Sequence, residues 1–124
     1  MDPIADMIVT IKNAYMAKKQ NTSVPYSKFK LEIAKVIEET KFIGKVQKVD
    51  SKIEIELIYV DQKPKLTEIK RVSKLGLRVY VKGKEIKKLK GGKGSYLIST
   101  PQGVMTGQQA REKKLGGEVI CLIW

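Results

Sequence analysis

Histidine is absent from this chain of 124 residues, and there is a single cysteine, Cys121. Without histidine the protein lacks the commonest general base and the commonest nitrogen ligand for a metal. One cysteine excludes an internal disulfide and fits a reducing compartment. No apolar run approaches the ~20 residues that a membrane-spanning helix needs. Asp2 and Asp6 precede the first lysine, the wrong sign for a secretory leader, so Asn21-Thr22-Ser23 reads as a polar loop and not as a glycosylation site. Acidic residues are also scarce: 13 Asp and Glu stand against 25 Lys and Arg, a net charge of +12.

That charge is concentrated. Residues 1–60 carry a net +2, residues 61–93 a net +9 and residues 94–124 a net +1. A basic segment of this density attracts a polyanion, because neutralising phosphates releases counterions and binding becomes salt-dependent. Apolar residues make up 42% of the chain and charged ones 31%, which fits a globular domain able to bury roughly 65% of its unfolded surface.

Along the chain, Asp2-Pro3 has the form of a helix start, and Ile4, Ile8, Ile11 and Tyr15 recur at helical spacing, with Lys12 and Asn13 off that face. "KKQNTS" is a polar loop and Val24-Pro25-Tyr26 a short extended piece. Ser27 can cap a second helix to Thr40, burying Phe29, Ile33, Val36 and Ile37. In "KIEIELIYV" the period is two, with Ile53, Ile55, Leu57 and Tyr59 inward and Glu54 and Glu56 outward. Residues 46–49 form its hairpin partner. "LTEIKRVS" is predicted to be a third strand of this half, and residues 74–76 a boundary.

"LRVYV" then reads as a strand with Arg78 and Tyr80 on one side and Leu77, Val79 and Val81 on the other. "KGKEIKKLKGGKG" is a short basic helix or a basic loop; "SYLIS" and "EVICLIW" are strands. Thr106 with Gln109 fits a capping box, so a short helix follows. The expected fold class is α/β (α+β): an N-terminal α-β-α-β-β half, residues 1–73, packed on a mostly β half with short helices, residues 74–124.

No catalytic constellation emerges. Cys121 sits among Val119, Ile120, Leu122 and Ile123 and reads as core. "GGKGS" fails as a phosphate loop, since the glycine required five positions before Gly92-Lys93 is Lys87, and Gly94 stands where Ser or Thr belongs. What does stand out is "ISTPQGVMT", residues 98–106, nine residues without charge in a lysine-rich chain.

"STPQGVMT", followed by "AR" and "LGGEVICLIW", closely resembles the end of the bacterial ribosomal small-subunit protein eight family. "DPIADMIVTIKNA" is similar to that family's opening and "KRVSKLGLRVY" to its middle, so the resemblance spans the chain. It implies a cytoplasmic, non-enzymatic protein of the small ribosomal subunit, with an organellar ribosome left open. It implies no cofactor or metal, no membrane and no small-molecule substrate. The implied partners are small-subunit ribosomal RNA at a distorted helix of the central domain, neighbouring small-subunit proteins and, in some members, messenger RNA under translational repression.

Carried across by position, Ser99, Thr100, Pro101, Gln102, Gly103 and Val104 occupy the RNA-reading loop. Pro101 and Gln102 replace the usual Ser and Lys there; Gly107 replaces an Asp, Leu75 a Pro, and Lys93 an apolar residue. Glu118 keeps its place, either accepting from a base edge or orienting the loop. RNA helices hide their base edges in a deep groove, so proteins read irregular features and 2′-hydroxyls. Small hydroxyls and a glycine permit that close approach, while lysine and arginine position the phosphates. Lys70, Arg71, Lys74, Arg78, Lys87 and Lys88 are assigned to positioning, and Ser99, Thr100 and Gly103 to specificity. Tyr80 either stacks on a base or sugar or is a half-buried sheet tyrosine. Lys12, Asn13 and Lys28 are expected to meet a second RNA segment from the first half. A nucleic-acid enzyme and a membrane-surface protein are the competing classes; the first lacks a histidine or ligand cluster, the second a large apolar face opposite the lysines.

Overall fold

The computed structural model describes residues 2–86 and 94–124. They form two compact units, Asp2–Glu68 and Ile69–Trp124. Lys87 and Lys88 lie outside the described residues.

In the first unit Asp2 caps α1 (Pro3–Met16), its Oδ1 accepting from the Ile4 N–H at 3.0 Å. β1 (Asn21–Pro25) follows, then α2 (Lys28–Thr40), where Ser27 Oγ accepts from the Lys30 N–H at 3.1 Å. β2 (Val46–Val49) and β3 (Lys52–Glu56) complete an antiparallel sheet of order β1-β3-β2. Period-two alternation buries Val24, Val46, Ile53 and Ile55. α1 contributes Ile4, Met7, Ile8, Ile11, Ala14 and Tyr15 to the core, and α2 contributes Ile33, Ala34, Val36 and Ile37. Each large apolar side chain so buried stabilises by about 1.5–3 kcal/mol. A two-strand ribbon, β4 (Tyr59–Val60) and β5 (Lys63–Pro64), turns at Asp61 and Gln62, whose φ of 52° and 67° are those of a type I′ hairpin.

Three expectations need correction here. Asn21, Thr22 and Ser23 belong to a strand, not a loop; β1 is an edge strand with one open face, which tolerates both its polar residues and Pro25. Phe29 is 40% exposed, because the buried stripe of α2 centres on Lys30, Ile33, Ala34 and Ile37 and leaves Phe29 on its flank. β3 stops at Glu56, and Tyr59 stands in the separate ribbon, donating its hydroxyl to the Lys19 carbonyl at 2.6 Å and meeting the Tyr15 ring edge-on at 5.5 Å.

The second unit runs β6 (Ile69–Arg71), β7 (Tyr80–Val81), a 3-10 turn (Gly83–Glu85), β8 (Ser95–Thr100), β9 (Gly103–Thr106), α3 (Gly107–Glu112) and β10 (Gly117–Ile123). β10 is central. β8 lies on one side of it and β9 beyond; on its other side β6 pairs with residues 121–123 and β7 with residues 117–118, all antiparallel. Ile98, Met105, Val119, Ala110 of α3 and Ile86 form the core. The capping box at α3 is present in both directions: Thr106 Oγ1 accepts from the Gln109 N–H at 3.2 Å, and Gln109 Oε1 from the Thr106 N–H at 3.0 Å.

"LTEIKRVS" therefore does not extend the first sheet. Only Ile69–Arg71 is a strand, and it pairs with β10, whose Cys121-Leu122-Ile123 stretch offers an apolar partner edge. "LRVYV" is also shorter than its alternation suggests. Residues 74–77 close a tight turn, Lys74 and Leu77 exchanging backbone hydrogen bonds of 2.9 and 3.0 Å, and Leu77 is left 66% exposed.

That turn makes a prediction. Gly76 has a φ of 81°, as the third residue of a type II turn requires, and Leu75 holds the second position, where proline's fixed φ is favoured. Its N–H has no partner among the described residues and its side chain is 56% exposed. Leu75→Pro is expected to stabilise the chain by about 0.4–1 kcal/mol through the unfolded state, read as a higher urea midpoint at unchanged m.

Candidate nucleic-acid interface

The strand register assembles four side chains from three separate stretches of the sequence. Glu118 on β10 lies directly opposite Tyr80 on β7 and Ser99 on β8, and Ser99 lies opposite Val104 on β9. Directly paired residues of antiparallel strands share a face. Tyr80, Glu118, Ser99 and Val104 thus form one row across four strands. Their neighbours Val119, Ile98 and Met105 point the other way, into the core.

The row is chemically mixed. Tyr80 is 68% exposed, so of its two readings the structure has the open ring and not a half-buried one. Glu118 is held from behind: its Oε2 accepts from Ser73 Oγ at 2.5 Å and from Arg78 Nη1 at 3.0 Å. Ser73 is fully buried and also accepts from the Val79 N–H at 3.2 Å. Nothing in "KRVSK" marks this serine; only the backbone bonds of Val72, Ser73 and Val79 to β10 bring it under Glu118. Glu118 Oε1 has no hydrogen bond among the described residues, and neither has the Ser99 hydroxyl. The row therefore presents an aromatic face, an anionic acceptor, a free hydroxyl and a small apolar patch.

The neutral stretch 98–106 is itself a hairpin, the last residues of β8 turning through Pro101 and Gln102 into β9. Alternation sends the two hydroxyls to opposite faces. Thr100 is 8% exposed; its Oγ1 donates to the Gly103 carbonyl at 2.8 Å and accepts from the Gln102 N–H at 3.1 Å. A hydroxyl has one hydrogen to donate, and here the turn uses it. Pro101 occupies a turn position between buried Thr100 and exposed Gln102, and Gly103 takes the positive φ of 112° that closes the turn. Gln102 and Pro101 are exposed at the tip.

The basic residues are scattered around this row. Lys74 is exposed in the 74–77 turn, next to Arg78, whose guanidinium is pinned at one corner by Glu118 and otherwise open. Arg71 is half-buried and donates to the Ile120 carbonyl at 2.6 Å, at the irregularity of β10 between Val119 and Cys121. Lys70 pairs with Leu122, which pairs with Tyr96, so it stands on the face opposite the row. Burial pushes the Cys121 thiol up to about 12, the nearby Arg71 guanidinium opposing the shift, so at neutral pH it is a protonated core group.

In the first unit Lys12 Nζ lies 2.6 Å from Glu68 Oε1, while Asn13 and Lys28 are exposed. Lys28 opens α2, where a cation opposes the helix dipole and no acidic side chain compensates.

The family described as ribosomal protein S8 matches residues 2–124. The chain is 45% identical to the small ribosomal subunit protein uS8 of Nitratidesulfovibrio vulgaris over 99% of this chain and 98% of the relative. It is 44% identical to uS8 of Roseiflexus castenholzii and 46% to uS8 of Syntrophomonas wolfei, each over 99% of this chain and 97% of the relative. The chain belongs to the ribosomal protein S8 family.

Proposed function

We propose that this protein is a structural component of the small ribosomal subunit that binds small-subunit ribosomal RNA directly, at an irregular helix of the central domain, and promotes assembly there. Translational repression through messenger RNA would use the same surface. The relatives are named as small-subunit ribosomal proteins, and we assign no catalytic role. The observation that carries the RNA reading is the row itself. Its free hydroxyl and carboxylate oxygen match the donors and acceptors of 2′-hydroxyls and exposed base edges, and the open Tyr80 ring suits an unstacked base or a sugar. Ser99, Glu118 and Tyr80 read; Thr100, Pro101, Gln102 and Gly103 hold the turn at the row's end, and Val104 closes it. Lys74 and Arg78, with Lys87 and Lys88, position phosphates, and Lys12, Asn13 and Lys28 meet a second segment from the first unit.

Two variants test the division. Ser99→Ala is expected to narrow the preference for a bulged stem over a regular RNA duplex by about tenfold, the worth of one well-placed hydrogen bond, with the salt slope unchanged. Lys74→Ala is expected to weaken both RNAs alike and to reduce the slope by about one. If the two variants gave the same pattern in titrations across salt, the division would be wrong.

A further inference from the structure

Four cations gather on the other side of the second unit. Lys82 and Lys84, around the 3-10 turn, and Arg111 and Lys114, at the end of α3, line one open depression of about 630 Å³. α3 enters the core through Ala110, packed with Ile98, Met105 and Val119. Those residues point away from Ser99, Val104 and Glu118, so α3 and this depression lie on the sheet face opposite the row.

None of the four has a carboxylate ion partner among the described residues. Glu85, on the same turn, is directed to the Lys82 N–H at 3.3 Å, and Glu112 to Gln108 at 3.4 Å. The dipole of a helix end favours a cation by only about 0.5 kcal/mol, and only within its last turn. It accounts for Arg111, not for the lysines of the turn. The two walls are also held tightly together: a Cβ on Gly83 would come within 2.8 Å of both the Leu115 backbone nitrogen and the Lys114 carbonyl carbon. Four like charges set around one concavity repel each other unless an anion completes the cluster.

We infer that this depression binds backbone phosphates of an RNA segment other than the one at the row, so that the second unit grips RNA on both faces of its sheet. The inference builds on the RNA reading above and extends it to a new site. Arginine and lysine lining one depression suit adjacent phosphates, and the absence of a free hydroxyl or aromatic ring among the four suits binding without sequence preference.

The test compares wild type with the exposed double variant Lys84→Gln, Arg111→Gln. One probe is a short bulged stem; the other is a longer central-domain transcript that contains the stem with its flanking helices. The variant is expected to bind the short stem like wild type. On the long transcript it should bind about tenfold more weakly at moderate salt, with a slope flatter by about two. Thermal melting of the variant checks that the unit stays folded. Equal binding of the long transcript by variant and wild type overturns the inference. So does an equal loss on both RNAs, which would place the depression in the footprint of the stem. Unchanged binding to the transcript with reduced uptake into reconstituted particles also overturns it, assigning the depression to an acidic protein surface. Wild-type preference for the bulged stem over a regular duplex tests the row separately, and its absence would count against the row alone.

Discussion

Gly117→Ala is expected to destabilise the protein by at least about 3 kcal/mol, at the upper end of what overpacking does. A Cβ at this position would stand 2.0 Å from the Ser99 carbonyl oxygen, 2.8 Å from its carbon and 3.1 Å from the Thr100 Cα. All three are backbone atoms, so no side-chain rotation relieves the overlap. β10 would have to move off β8 at the register that places Glu118 beside Ser99. The variant should show a lower urea midpoint and, where still folded, weakened discrimination between bulged and regular RNA. A midpoint within about 1 kcal/mol of wild type would mean that β10 and β8 are not held in this register.

Glu118→Ala is expected to cost about 2 kcal/mol, most of it through a residue that never touches solvent. Ser73 is fully buried and donates its hydroxyl hydrogen to Glu118 Oε2. Removing the carboxylate orphans that donor, and a buried unsatisfied group costs about 1–3 kcal/mol. The Arg78 contact adds little, since its side chain is 43% exposed and water screens the pair. Glu118→Gln keeps an oxygen for Ser73 and should recover most of the stability. The two variants therefore separate roles. If Gln restores stability but not RNA discrimination, the charge at Glu118 is read by the partner. If Gln restores both, the residue acts by holding the 73–79 segment in place. Equal stability of the Ala variant and wild type in chemical denaturation would show that Ser73 has another acceptor.

Local patterns carried much of the fold. Asp2-Pro3, Ser27 and the Thr106–Gln109 pair each act within four residues, so capping is legible without tertiary structure. The alternation around Ile53 and Ile55 is likewise local, because a half-buried strand repeats every two residues wherever it lies. Strand partners are different. Ile69–Arg71 reads as a strand in either half, and only the edge of β10 decides which sheet it joins.

The interface shows the same division. Composition and the run of lysines were enough to point to a polyanion, since long-range attraction depends on net charge and not on geometry. Ser99 and Thr100 looked like one pair of hydroxyls facing the same partner. Strand alternation instead puts Ser99 in the row and turns Thr100 into the hairpin, and that follows only from knowing that β8 continues to Thr100. Ser73 carried no sequence signal, because its role exists only when residues 45 positions apart meet. The sequence by itself determined the charge, the caps and the strand-forming periods, all of which arise from neighbours along the chain. The tertiary structure alone decided which groups share a face and which hydroxyls remain free, because register is a relation between strands and hydrogen-bond capacity is used up by whatever the fold brings near.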